Sequence, residues 1–193
     1  MIPERPILAR YRARADAFEQ KIANVEPDQW DNQSPCAKWT ARGVVDHVID
    51  MHGVMLGHSI PRTDDPLADF RVARSQVQQA LDSDRATSEV PTPGGSMTLE
   101  DHVDQVVSDD LVLHGWDLAR ATGQDETIPA TDVERLWATA TSVPADLMER
   151  FRTPGAFGPG IEVYGAEVPV PDDASLQDRL LGYVGRDPMS KRS

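Results

Sequence analysis

Apolar residues recur at helical spacing through most of the chain. The first stripe predicts a helix over 7–23, with Ile7, Leu8, Tyr11, Ala15, Phe18 and Ile22 on one side. A connector over 24–38 carries Pro27 and Pro35. A second helix opens at Trp39-Thr40, where Thr40 suits an N-cap, and runs to about Leu56. Its stripe holds Val44, His47, Val48, Met51 and Met55, so an imidazole occupies a core position. A third helix lies between Pro66 and Leu81, using Leu67, Phe70, Val77 and Leu81. The Pro- and Gly-rich stretch from Ser88 to Met97 reads as a loop. Thr98 then caps one long helix that ends near Gly123, a residue suited to the position after a helix. A further helix over 131–151 carries Val133, Leu136, Trp137, Ala140 and Leu147, and Pro144 should kink or interrupt it.

From Arg152 the texture changes, because Gly155, Gly158, Pro159, Gly160, Gly165, Pro169 and Pro171 cannot sustain a helix. The runs 161–164 and 167–170 have the composition of short strand pieces, and a terminal helix is expected over 175–184. The pattern predicts an all-α protein: a four-helix bundle with an additional helix and a short Gly/Pro-rich C-terminal tail. The bundle is expected over 1–152, with the tail over 153–193 packing its short helix on the same domain.

The long helix expected over 98–123 breaks the apolar rule. Leu99, Val103, Val107, Asp110, His114, Asp117 and Ala121 advance by three or four residues and trace one stripe. A stripe that begins with Leu and Val faces a core, and charges that continue it must be paired, neutralised or bound to a metal. Asp110 and His114 stand at i and i+4, about 5–6 Å apart at Cβ, so both can reach one ion. With His47 they form a two-histidine, one-carboxylate set that suits Zn²⁺, Fe²⁺, Ni²⁺ or Mn²⁺ and leaves coordination positions open. Asp117 is placed to accept a hydrogen bond from a ligand imidazole. The blander alternatives stay open at this stage. Either histidine can be a satisfied core group, and Asp110 can be an ion-paired acid with Arg120 as partner.

His52 points off the stripe of His47, His58 lies past Gly57, and His102 should be exposed; none is expected to be a ligand. Cys36, the single cysteine, excludes an intramolecular disulfide and reads as a buried inert thiol. Trp39 and Trp116 read as core or wall residues.

Charge narrows the partners. Nineteen basic against 32 acidic residues give a net charge of −13, which argues against binding nucleic acid or an anionic membrane surface. The N-terminus has no apolar h-region, and no run approaches the roughly 18 residues of a membrane span, so a cytoplasmic location is expected.

Three separated motifs carry a family resemblance. Ser34-Pro35-Cys36-Ala37-Lys38-Trp39-Thr40, followed by Val45-Asp46-His47-Val48, is similar to the opening signature of actinobacterial proteins related to the mycothiol-dependent maleylpyruvate isomerase metal-binding domain. The run from Asp110 to Gly123 resembles the second signature of that group, and the run from Leu180 to Pro188 resembles its ending. The resemblance covers almost the whole chain. It implies a DinB/YfiT-like four-helix bundle binding a divalent metal, usually zinc, through His47, Asp110 and His114. The isomerase has glutamate where this chain has Asp110, one methylene shorter. The function implied is a metal-dependent transferase or isomerase that uses a low-molecular-weight thiol on a small electrophilic substrate. A non-catalytic metal-binding or regulatory module and a metal-dependent hydrolase are the alternatives, and a homodimer is compatible with each.

Overall fold

The computed structural model describes residues 5–92, 95–156 and 163–190. The chain is mostly helical and separates into two compact units, one ending at Glu126 and the other beginning at Thr127.

The first unit contains α1 (Pro6–Ala23), α2 (Ala41–Leu56), α3 (Pro66–Leu81), a short 3-10 turn (Asp84–Thr87), β1 (Glu89–Thr92), β2 (Gly95–Thr98), α4 (Leu99–Gln105) and α5 (Val107–Thr122). Local chemistry explains the helix ends. Pro6 and Pro66 occupy first-turn positions where no N–H is needed. The Thr40 hydroxyl accepts from the Gly43 N–H, and the Asp65 carboxylate accepts from Leu67 and Ala68. Gly57 (φ +80) and Gly123 (φ +69) end α2 and α5 in the left-handed conformation. The long helices meet pairwise, α1 on α5 and α3, and α2 on α5 and α3. Their shared core includes Tyr11, Phe18, Val44, Val48, Ile49, Phe70, Val77 and Leu118, all nearly inaccessible.

Two expectations need correction here. The stretch over 88–97 is not all loop, because β1 and β2 pair antiparallel, with Val90 opposite Met97 and Pro91 opposite Ser96. A two-stranded ribbon has only edges, so Pro91 can sit in it without removing a needed donor. The single helix expected after Thr98 is instead two, divided at Val106 (φ −109, ψ −69). The chain direction survives the break, since Val106 N–H donates to His102 and Asp110 N–H donates to Val106.

In the second unit α6 (Ala130–Ser142) and α7 (Ala145–Phe151) are separated at Pro144, and α6 packs on α8 (Leu176–Tyr183). Of the strand pieces, residues 161 and 162 lie outside the described residues, and 167–170 form no strand. Val168 N–H donates instead to the Gly182 carbonyl at 2.9 Å, and a Cβ on Gly185 (φ +88) would meet Gly165 Cα at 2.5 Å. The glycines of the C-terminal motif thus serve a close backbone crossing.

A candidate metal centre between two helices

The packing of α2 on α5 turns His47 toward the acid-imidazole stripe. His47 Nε2 lies 3.8 Å from Asp110 Oδ2, and the imidazoles of His47 and His114 meet edge to face with centroids 4.8 Å apart. One donor atom from each of His47, Asp110 and His114 falls within 4.8 Å of the others. His47 and Asp110 are each about a quarter exposed, whereas His114 is buried. The cluster therefore opens on one side to solvent and backs onto the core.

Behind it stands Asp117, whose side chain is 0% exposed. Its Oδ2 lies 2.8 Å from His114 Nδ1. A carboxylate can only accept, so the hydrogen belongs on Nδ1 and the lone pair on Nε2, the state a ligand histidine needs. The Cys36 thiol donates to the same Oδ2 at 3.4 Å. Cys36 is half-buried rather than fully buried, and with His114 and Asp117 it forms a second group of potential donors.

Trp39 completes the surroundings. Its ring stacks on His47 at 4.3 Å with planes 24° apart, and meets His114 edge-on at 5.5 Å. Trp116, the other tryptophan considered as a wall, is buried with the Arg120 guanidinium over its ring. Arg120 pairs with Glu126 at 2.7 Å.

The remaining histidines fall elsewhere. His52 is fully buried in the core, with Nδ1 2.7 Å from the Val48 carbonyl and Nε2 3.1 Å from the Tyr11 hydroxyl. Burial pushes its pKa down to about 4. His58 meets Gln76 on the surface. His102 is half-buried rather than exposed, and burial lowers its pKa.

Sequence reasoning missed the buried pair of Arg14 and Asp109, 2.9 Å apart, which ties α1 to α5 one residue before Asp110. A signal existed: Arg14 follows Tyr11 by three residues on the apolar stripe of α1, and a buried guanidinium needs an acid. No spacing rule could have brought Cys36 to Asp117, 81 residues away.

The donor set fits a divalent ion. Two imidazole nitrogens and a carboxylate oxygen suit borderline metals. Donors about 2.0–2.1 Å from a tetrahedral ion stand roughly 3.4 Å apart, so the 3.8 Å between His47 and Asp110, in a set spanning up to 4.8 Å, has to close around an ion.

Residues 11–66, which hold Cys36, Trp39 and His47, match the family model described as the mycothiol maleylpyruvate isomerase N-terminal domain. Two curated relatives, described as uncharacterized proteins of Mycobacterium tuberculosis (strains CDC 1551 / Oshkosh and ATCC 25618 / H37Rv), are each 32% identical over 193 residues. The alignment covers 94% of this chain and 97% of each relative. No solved structure matches significantly. No helix among the described residues is long and apolar enough to cross a membrane. Motifs, site geometry and full-length relatives converge: the chain belongs to the family of the mycothiol maleylpyruvate isomerase N-terminal domain.

Proposed function

We propose that this protein binds a divalent metal, most simply zinc, through His47, Asp110 and His114, and uses a mycothiol-type thiol on a small electrophilic substrate. In this reading α1, α2, α3 and α5 are the four helices of a DinB/YfiT-like bundle, and the ion sits on the α2–α5 seam. The observation that carries the proposal is the convergence of three donors from two helices within 4.8 Å, with Asp117 behind one of them.

A bound divalent ion supplies Lewis acidity, which favours the thiolate form of a small thiol. The chain's own residues supply the rest. His114, oriented by Asp117, presents Nε2; His47 and Asp110 form the solvent-facing side; Trp39 walls the site with an apolar ring. Three protein donors leave room for a further ligand, the arrangement of a catalytic rather than a structural zinc site. His52 cannot close the sphere, because both of its ring nitrogens are engaged in the core. This removes one of the residues that could close the sphere and make a metal-holding module of it.

Elemental analysis of untagged protein tests the ligand set. Wild type should carry one zinc-class ion per chain and His114→Ala none; equal metal in both would refute the assignment. Thiol-dependent consumption of a panel of electrophiles, lost in His114→Ala, then tests the chemistry.

A further inference from the structure

The loop ahead of α2 touches both histidines by separate routes. From one end, the Trp39 ring lies flat on His47 and edge-on to His114. From the other, the Cys36 thiol donates to Asp117, whose same oxygen receives the His114 Nδ1 hydrogen. Neither Cys36 nor Trp39 is on a helix that carries a proposed ligand, so the loop is an independent support.

That loop is unusually tied. The Trp39 carbonyl accepts from Ser34 N–H at 3.0 Å, Ser34 Oγ at 2.7 Å and Gln33 Nε2 at 2.8 Å. Trp39 N–H donates to the Cys36 carbonyl at 2.9 Å, and Ser34 is buried. A Cβ on Gly43 would stand 3.1 Å from Trp39 Cβ, so the absence of a side chain there lets the indole settle against α2. These contacts fix a backbone carbonyl, an indole plane and a thiol together. A mobile loop would lose rotamer and backbone freedom on closing around an ion; the hydrogen bonds of this one already restrain it.

We propose that the loop Ser34–Trp39 is a positioning device of the metal centre: it sets the plane of His47 through Trp39, and that of His114 through Cys36 acting on Asp117. The inference rests on the metal reading above. It assigns Cys36 a role as thiol donor to a buried carboxylate rather than as a nucleophile. An ionised sulfur would face that carboxylate as a like charge, so the donor role keeps the hydrogen on sulfur.

The test uses the full chain with Cys36→Ala, Cys36→Ser, Trp39→Leu and Trp39→Phe. Zn²⁺ affinity is measured by chelator competition, the Co²⁺ absorption spectrum is recorded, and metal-free protein is examined at pH 8 by ¹⁵N NMR of the histidine rings. Cys36→Ala and Trp39→Leu should each weaken binding about tenfold and alter the Co²⁺ bands, while Cys36→Ser and Trp39→Phe, which keep a donor and a ring, stay within about threefold. In metal-free Cys36→Ala, the hydrogen should stay on His114 Nδ1, which Asp117 still accepts, while the ring ¹⁵N signals shift as the carboxylate loses its second donor. Folded Cys36→Ala and Trp39→Leu with wild-type affinity, spectrum and ring signals would overturn the proposal, as would conservative variants no better than the truncations. If the truncations do not fold, Ser34→Ala, which loosens the Trp39 carbonyl without touching either histidine, decides by the same readouts. Wild type that takes up no metal removes the metal reading, and the ring signals then still decide whether the loop orients the imidazoles.

Discussion

His47 and His52 sit five residues apart on one helix and end in opposite situations. Around His52 the core closes completely. The Val48 carbonyl only accepts, so Nδ1 carries the hydrogen, and the Tyr11 hydroxyl answers Nε2. Both nitrogens are satisfied within the fold, and Tyr11, Phe70 and the α2 backbone complete the surroundings. At His47 the same side-chain chemistry is kept a quarter open, stacked on Trp39, and turned toward a carboxylate and a second imidazole. A buried histidine whose two nitrogens are answered by core partners supports the fold; one that converges with other donors at a solvent-reaching seam is a ligand candidate. Five residues rotate a helix by more than a full turn, so one helix can serve both regions.

Substitution at the two regions should separate function from stability. His114→Ala removes a donor of the seam, and its metal affinity should fall by more than the roughly 10–100-fold that loss of an outer hydrogen-bond partner costs. Its melting temperature without metal should fall as well, because the buried Asp117 carboxylate loses a donor, so the two regions are separated by metal uptake at a temperature where both variants stay folded. His52→Ala leaves a cavity in the core, a loss on the order of 3 kcal/mol by denaturant titration, with metal stoichiometry intact. Metal loss in His52→Ala at a temperature where it stays folded would erase the distinction. Asp117→Asn is the intermediate case. Asparagine can still accept the His114 hydrogen but removes the negative charge that raises ligand basicity, so affinity should drop about tenfold.

The two regions should also differ in their response to acid. His52 is neutral in the folded protein because burial, the dominant cause, pushes its pKa from 6.5 down to about 4; Arg74 adds to the shift and the Val48 hydrogen bond opposes it. Between those values the unfolded chain binds a proton that the folded chain refuses, so stability rises with pH there. Stability from this group is complete above about pH 6.5 and is lost as pH falls toward 4, on the order of 3 kcal/mol in all. Denaturant midpoints from pH 7 to pH 4, wild type against a folded His52→Gln, isolate the contribution. An unchanged acid limb in the variant would show that other groups carry it.

How far this contrast could be read from sequence depended on whether a signal was local. The stripe of Leu99, Val103 and Val107 pointed α4 and α5 at the core, and the acid-imidazole continuation marked Asp110, His114 and Asp117 as unusual. The Asp117–His114 contact follows from i, i+3 spacing on one helix. The fate of His52 was not legible, because it depends on Tyr11 arriving from α1. The β-hairpin hid behind Pro91 and its glycines, since composition cannot distinguish an edge-only ribbon from a loop. Cys36 escaped for a related reason: its partner is 81 residues distant, and only the docking of a tied loop on α5 joins them.

The smallest expected effect concerns the carboxylate of the proposed ligand set. Asp110 stands 3.8 Å from His47, slightly wider than the roughly 3.4 Å separating two donors on one tetrahedral ion. Its carboxylate is about a quarter exposed, so a longer side chain there has solvent to extend into rather than a packed wall. Asp110→Glu adds one methylene of reach and should tighten Zn²⁺ binding by a few-fold, on the order of 1 kcal/mol or less. The gain is limited because the longer side chain loses more rotamer freedom when held. Chelator competition at fixed pH measures it, with His52→Ala as the control that leaves the seam untouched. Weaker binding by Asp110→Glu would mean that the short carboxylate already matches the spacing of the two imidazoles, and that the observed separation closes by movement of the helices instead.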